Sequence, residues 1–377
     1  MRPWHSTEWN RAVALLAALC LLVAPGCRKP APIKVGFVAG LTGRNSSLGV
    51  SSRNAAVMAV EEFNAKGGIA GRPLELIIRD DEQQPEAARR SVEELIRLGV
   101  VAIIGHNTSS MAEVTLPIAD REHVLMISPT VSSAQFLGKD DWLVMLFPST
   151  SETAKSLAGY VARTDAARRI TAFYDLNNAA FTRTLFESFK AEHERHGAGW
   201  TVRGVPFTSG QVVSFSDLVG EALKEPADGV LVIATALDSA SLCQQVRKRS
   251  AVVRLFGTDW GFTNDVLANG GSALEGAIFT QKVDMASTVP AFVAFKQAYF
   301  ARYNRQADFA AVLSYEAVEV LATGLRKDQT REGVRRAVLE IGTHHGLQAD
   351  IQIDRYGDTT RRHVITTVRN GQMANID

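Results

Sequence analysis

Residues 103–133 read IIGHNTSSMAEVTLPIADREHVLMISPTVSS, and this stretch is the part of the sequence that is most informative about the fold. Two apolar runs, 100–104 and 124–127, each end in a loop crowded with hydroxyl side chains. A helical pattern lies between the runs, and this order of strand, helix and strand predicts parallel neighbours in one sheet. Because ligands of open α/β sheets lie beyond the carboxyl ends of the strands, the two loops predict a site for something small and polar.

The alternation of strands and helices continues on both sides of this stretch. Upstream, the pattern predicts strands over 33–39 and 74–79 and helices over 49–66 and 85–98. Downstream, it predicts strands over 169–174, 200–205, 229–234, 253–257 and 276–280, then helices within 290–341 and short strands within 347–373. This order predicts an α/β protein with two doubly wound parallel-sheet lobes.

The tail of helices and short strands is expected to complete both lobes, so that the chain crosses between them more than once. The boundaries expected from the sequence are 33–147 with 281–345 for the first lobe, and 148–280 with 346–377 for the second. A chain of 377 residues with 46% hydrophobic content is long enough to bury two such cores.

The overall charge gives no sign of a polyanionic partner. Lys and Arg number 41 and Asp and Glu number 40, so no nucleic acid is expected to bind.

The N-terminus, residues 1–26, reads as an export signal. Arg2 and Arg11 precede an apolar run over 12–23. This run has roughly 12 apolar residues, which are too few to span a bilayer. Cleavage before Cys27 would resemble the processing of bacterial lipoproteins and would give a lipid anchor at Cys27. Ala24 and Pro25 depart from that signal, so plain secretion is the alternative. Either way, the expected location is the periplasm or cell envelope.

Sequence patterns of common catalytic centres are missing from the chain. None of the eight histidines has HExxH spacing or cysteine partners, and GxSxG, GxxxxGK[ST] and GxGxxG after a strand are all absent. Asp80, Asp81 and Glu82 end a strand and are expected to form a solvated capping loop, with a metal or ligand contact as the alternative. The sequence therefore predicts a protein that is not an enzyme and has neither cofactor nor metal.

A set of short motifs carries a resemblance to a known family. They are Gly40-Leu41-Thr42-Gly43, Gly67-Gly68-Ile69-Ala70-Gly71-Arg72, Gly105 with Ser109-Ser110, and Ile127-Ser128-Pro129. In this order and spacing the chain resembles the type I periplasmic solute-binding proteins, in particular the Leu/Ile/Val-binding proteins of ABC importers, over about 33–373. The resemblance implies two lobes joined by a three-strand hinge, closure over a small solute, and no catalysis.

The resemblance also implies which hydroxyls hold the ligand. Ser109, Thr130 and Ser132 match the positions that bind the ligand's carboxylate, and Ser110 beside them is also expected to contact the ligand. Hydroxyls and free amides at helix starts satisfy a carboxylate, and the helix dipole adds to them. The alternative is that these serines only cap helices.

Across the cleft the chain departs from the amino-acid binders, which use tyrosines and an acidic residue. Phe181 stands where a tyrosine is usual, and Thr235 replaces one of a tyrosine pair, so both are expected to contact the ligand. Asp259 is expected to hold an ammonium group, while Trp260 and Phe181 are expected to stack on a flat or apolar ligand body. Plain packing is the alternative for Phe181, Asp259 and Trp260.

The sequence therefore predicts an exported binding protein for a small carboxylate-bearing ligand, an amino acid or a related acid, including aromatic ones. Its expected partner is the permease of an ABC importer. One alternative is a sensory ligand-binding subunit of a signalling receptor. A second is a hydrolase that uses Ser109 or Ser110 as nucleophile.

Overall fold

The computed structural model describes residues 30–43, 46–212, 214–261 and 263–376, and only the backbone of Asn264. The predicted export signal and the lipidation of Cys27 lie outside the described residues. Within the described ranges, no helix combines the length and the apolar character needed to cross a membrane.

The first lobe is built on a five-stranded parallel sheet in the order β2-β1-β3-β4-β5. Its strands are β1 (Ile33–Ala39), β2 (Leu74–Asp80), β3 (Ala102–Gly105), β4 (Leu125–Ser128) and β5 (Leu143–Met145). The helices between them are α1 (Ser47–Ala65), α2 (Pro85–Arg97) and α3 (Ser109–Arg121).

The second lobe is built on a seven-stranded sheet in the order β15-β14-β10-β9-β8-β6-β7. Its parallel strands are β6 (Arg169–Asp175), β7 (Thr201–Phe207), β8 (Gly229–Ile233), β9 (Arg254–Gly257) and β10 (Ile278–Gln281). Two antiparallel strands, β14 (Val364–Arg369) and β15 (Gln372–Asn375), extend it beyond β10. Its helices are α4 (Thr150–Arg163), α5 (Ala179–Glu194), α6 (Phe215–Ala222), α7 (Ala236–Arg249) and α8 (Asn264–Gly270).

The remaining elements return to the first lobe. They are α9 (Pro290–Tyr303), α10 (Phe309–Lys327), α11 (Arg331–Ile341) and a small antiparallel sheet of β11 (Thr343–His345), β12 (Asp350–Ile353) and β13 (Thr359–Thr360). The chain thus passes between the lobes three times, after β5, after β10 and after β13.

Residues 346–353 lie in the first lobe, whereas the sequence placed them in the second. Leu347, Ile351 and Ile353 belong to the same buried cluster as β1, α1 and α10. In β12 these isoleucines alternate with polar residues, so the strand needs an apolar surface on one side. The core of the first lobe supplies that surface, and the third passage falls near residue 360 instead of 345.

Side-chain alternation along β1 shows how each sheet is covered on both faces. Ile33, Val35 and Phe37 point to the cluster shared with α1 and α10, whereas Val38 points to a second cluster shared with α2 and α3. The second lobe repeats this arrangement, with α4 and α5 on one face and α6 and α7 on the other. Parallel strands covered on both faces read as continuous apolar runs, which is why the sequence revealed them. The predicted fold class is confirmed.

Candidate ligand-binding site

The carboxyl ends of β3 and β4 bring the two hydroxyl-rich loops together. The strands are parallel neighbours, with Ile104 opposite Ile127. Beyond them the Ser128 hydroxyl donates to the carbonyl of His106 at 2.6 Å, and the Thr130 hydroxyl donates to the carbonyl of Asn107 at 2.7 Å. These bonds fasten the two loops side by side at one edge of the sheet.

Ser109 and Ser132 hold hydroxyls with unused hydrogen-bonding capacity at this edge. Ser109 begins α3, and its Oγ accepts from the amides of Ser132 and Ser133, each at 3.3 Å, so its own proton is available to an acceptor. The Ser132 hydroxyl is buried and finds no hydrogen-bond partner among the described residues. Because a buried hydroxyl left unpaired costs stability, both groups are able to donate a hydrogen bond to an acceptor that enters the cleft.

Thr130 differs from the two serines. Its hydroxyl proton is already donated to Asn107, so that oxygen can accept a hydrogen bond but has no proton left for a carboxylate. The expected donor role of the Thr130 side chain is therefore not available in this arrangement.

Six of the predicted residues meet around one cavity between the lobes. Its lining comprises Leu48, Asn107, Ser109, Thr130, Ser132, Phe147 and Phe309 from the first lobe and its borders, and Asn178, Phe181, Asp259 and Trp260 from the second. The cavity is about 20 Å³, the space of about one water molecule. Any larger solute therefore requires the lobes or the lining side chains to move apart.

Ser110 ties the lobes together and does not line the cavity. Its amide donates to Oδ1 of Asn178 at 3.1 Å, and its hydroxyl accepts from the amide of Ala180 at 3.2 Å. The sequence placed Ser110 on the ligand, but its contacts are with the opposite lobe. These two bonds join the two lobes across the cleft.

The aromatic side chains form the apolar part of the cavity wall. Phe181 and Trp260 pack edge to face, with ring centroids 5.5 Å apart and an interplanar angle of 83°. Phe147 and Phe309 also line the cavity, and their ring centroids are 5.6 Å from each other. Such a wall suits a ligand body that is apolar or flat.

Asp259 has a partner that the sequence did not suggest. Lys282 Nζ lies 3.0 Å from its Oδ1 in a hydrogen bond and 2.8 Å from its Oδ2, outside hydrogen-bonding geometry. The pair arises because β9 and β10 are parallel neighbours, which brings the residues just beyond their ends together. Both side chains are almost wholly buried.

Burial sets the electrostatics of this pair. It raises the pKa of the Asp259 carboxyl, and the Lys282 ammonium opposes part of that shift. It lowers the pKa of Lys282, and Asp259 opposes part of that shift. Wherever the shared proton resides, the pair has no net charge. The sequence suggested that the Asp259 carboxylate is free to bind a ligand ammonium group, but Lys282 already neutralises it.

Thr235 is buried at the start of α7 and lies outside the cavity lining. Its hydroxyl has no hydrogen-bond partner among the described residues.

Four residues of the site were not predicted from the sequence: Asn107, Phe147, Phe309 and Lys282. Only their positions in the chain could have indicated two of them. Asn107 lies inside the hydroxyl-rich stretch, and Lys282 directly follows a strand. The described residues contain no group of three or more His, Cys, Asp or Glu side chains that could hold a metal ion.

Comparison with known proteins agrees with this architecture. The family model described as periplasmic binding protein matches residues 32–372, so the chain belongs to that family, and within it to the type I proteins of the Leu/Ile/Val-binding kind. The Leu/Ile/Val-binding protein BraC3 of Rhizobium johnstonii is 27% identical over 343 residues, which cover 87% of this chain and 88% of that protein.

Two solved structures share the fold. The branched-chain amino acid transporter substrate-binding protein LivJ of Streptococcus pneumoniae, in complex with isoleucine, gives a TM-score of 0.83 at 20% identity, covering 91% of this chain and 98% of that one. A solute-binding protein of an ABC transporter from R. palustris, in complex with benzoate, gives a TM-score of 0.79 at 16% identity. The match covers 92% of this chain and 95% of that one.

Proposed function

We propose that this protein is an exported binding protein that captures a small carboxylate-bearing solute between its lobes and delivers it to an ABC importer. The observation that carries the proposal is the pair of hydroxyls with spare donors, Ser109 Oγ and Ser132 Oγ, at the edge of a cavity between two lobes. Family membership supports the capture of a solute without catalysis.

The energetics of two hydroxyl donors fit a reversible trap. Each hydrogen bond to a charged group contributes about 1.5–3 kcal/mol. Two such bonds supply a large part of the roughly 8 kcal/mol of a micromolar complex, and apolar contacts with Phe181 and Trp260 supply more.

Closure of the cleft completes the trap. The solute enters between separated lobes, and the bonds of Ser110 to Asn178 and Ala180 form as the lobes close. A ligand shifts such a two-state equilibrium only through contacts that it makes in the closed state. The closed form is what a permease would recognise.

The proposal extends to the location of the protein. Cys27 follows the apolar segment of the predicted export signal, and we assign it a lipid anchor. Cys27→Ser should move the protein from the membrane fraction to the soluble fraction of the envelope. An unchanged distribution, or a mature N-terminus other than residue 27, would contradict the anchor and leave the binding function intact.

A thermal-shift panel tests the binding function. Amino acids, aromatic acids, aliphatic acids and their amides are added separately to the purified protein, and the melting temperature is recorded. A ligand at about 100 times its dissociation constant adds about 2.7 kcal/mol to the free energy of unfolding. We expect carboxylates to raise the melting temperature and Ser109→Ala to reduce that shift. A shift produced only by compounds without a carboxylate would refute the proposal.

A further inference from the structure

The ion pair of Asp259 and Lys282 bears on which carboxylates the cleft accepts. Asp259 is the only acidic side chain in the lining of the cavity among the described residues. An ammonium group brought into a closed, largely apolar cavity loses its hydration and needs a carboxylate in exchange. The charge of that single carboxylate is therefore decisive.

Lys282 occupies the position of that ammonium group. Its Nζ contacts both carboxylate oxygens of Asp259 and lies 4.5 Å from the centroid of the Phe147 ring. The lysine is itself buried and is not among the residues that line the cavity. A ligand ammonium would add a second positive charge beside a pair that is already neutral.

We infer that the cleft selects carboxylic acids that carry no free amino group, because Lys282 supplies from within the protein the cation that Asp259 would otherwise take from the ligand. The ligand class is a monocarboxylate with an apolar or aromatic body. This inference rests on the proposed function, since it presupposes that a carboxylate binds at Ser109 and Ser132.

The remaining wall of the cavity agrees with this class. Phe181, Trp260, Phe147 and Phe309 offer ring faces but no carboxylate, and a ring face offsets less of the desolvation of an ammonium group than a carboxylate does. Asn107 Oδ1 is a neutral acceptor without a partner among the described residues, and a neutral acceptor does not offset a buried positive charge. The wall thus offers hydroxyl donors for a carboxylate and no unneutralised carboxylate for an ammonium group.

Matched pairs of ligands test the inference by calorimetry on the purified protein. The pairs are 3-phenylpropanoate with L-phenylalanine and 4-methylpentanoate with L-leucine, which differ only in the α-amino group. We expect the acid without the amino group to bind about 100-fold more tightly in each pair, a difference of about 2.7 kcal/mol. Equal or tighter binding of the amino acid overturns the inference but not the proposed function. If no member of either pair binds, the inference falls, and the thermal-shift panel decides the proposed function.

A variant pair tests the role of Lys282 itself. Lys282→Met leaves Asp259 unmatched, so the ratio of amino-acid to acid affinity should rise at least about tenfold, as the ligand ammonium takes the place of the lysine. Lys282→Met combined with Asp259→Asn removes both charges and should not show this rise. An unchanged ratio in folded Lys282→Met overturns the inference. If that variant does not fold, the wild-type ligand pairs decide alone.

Discussion

The two walls of the cleft place polar side chains at equivalent positions but leave them in different hydrogen-bonding states. Both are built from residues just beyond the carboxyl ends of neighbouring parallel strands, β3 and β4 in the first lobe, β9 and β10 in the second. In the first lobe this position holds Ser109 and Ser132, whose hydroxyls keep unused donors. In the second it holds Asp259 and Lys282, which neutralise each other.

A polar side chain near a cleft is therefore not always free to bind a ligand. A hydroxyl can accept from a backbone amide and still donate, so Ser109 is both part of the scaffold and available. A carboxylate matched by a buried ammonium has no charge left to offer. The proposed polar contacts with the ligand therefore come from the first lobe, and the second lobe contributes mainly apolar surface.

The largest expected effect is on stability, in the second lobe. Asp259→Ala leaves the buried ammonium of Lys282 without a partner, which should lower the free energy of unfolding by about 3–5 kcal/mol. Denaturant titration measures the loss. The matched control, Asp259→Ala with Lys282→Met, should recover most of it. A loss under about 1 kcal/mol in the single variant would show that the pair is not the buried unit described above.

Ser109→Ala should act mainly on binding, in the first lobe. It removes one donor to the carboxylate, so affinity should fall about 10- to 100-fold, corresponding to a charged hydrogen bond. It also removes the acceptor for two backbone amides, so a smaller loss of stability should accompany it. Calorimetry and denaturant titration separate the two effects. Unchanged affinity would mean that the ligand does not reach Ser109.

Trp260→Ala tests the apolar character of the second wall. Loss of the ring that packs against Phe181 should weaken aromatic acids about tenfold and aliphatic acids less, because stacking adds about 0.5–1.5 kcal/mol beyond buried area. The comparison uses 3-phenylpropanoate and 4-methylpentanoate on the same variant. Equal losses for both acids would refute the stacking role.

Ser110→Ala should have the smallest effect and no selectivity. It removes one of the two bonds that Ser110 makes to the second lobe, the one from the amide of Ala180, and leaves the cavity lining unchanged. Affinity should fall by a few fold for every ligand, since one neutral hydrogen bond contributes about 0.5–1.5 kcal/mol. A change in the ratio of affinities between two acids would show that Ser110 contacts the ligand after all.

Much of this fold was accessible from the sequence because its strands are long apolar runs. The predicted strand over 33–39 coincides with β1, and that over 74–79 falls one residue short of β2. The three residues of β5 are too few to show a period, so that strand was missed. The assignment of residues 346–353 failed because short alternating strands do not reveal which core covers them.

The candidate site was accessible in part for the same reason. The hydroxyl loops follow two strands that are consecutive in the chain, so their proximity could be inferred. Asp259 and Lys282 lie 23 residues apart beyond β9 and β10, and nothing local marks them as partners. The preference of Ser110 for the opposite lobe depends on how the lobes close, which no local pattern encodes.

Ser132 offers the most direct test of the central claim, that hydroxyls of the first lobe hold a ligand carboxylate. Its hydroxyl has no partner among the described residues, so Ser132→Ala should leave the stability of the free protein unchanged or slightly higher. Calorimetry compares 3-phenylpropanoate with its amide on the wild type and on this variant. We expect the substitution to weaken binding of the acid about tenfold or more and binding of the amide much less. An equal effect on acid and amide, or none on the acid, would contradict it.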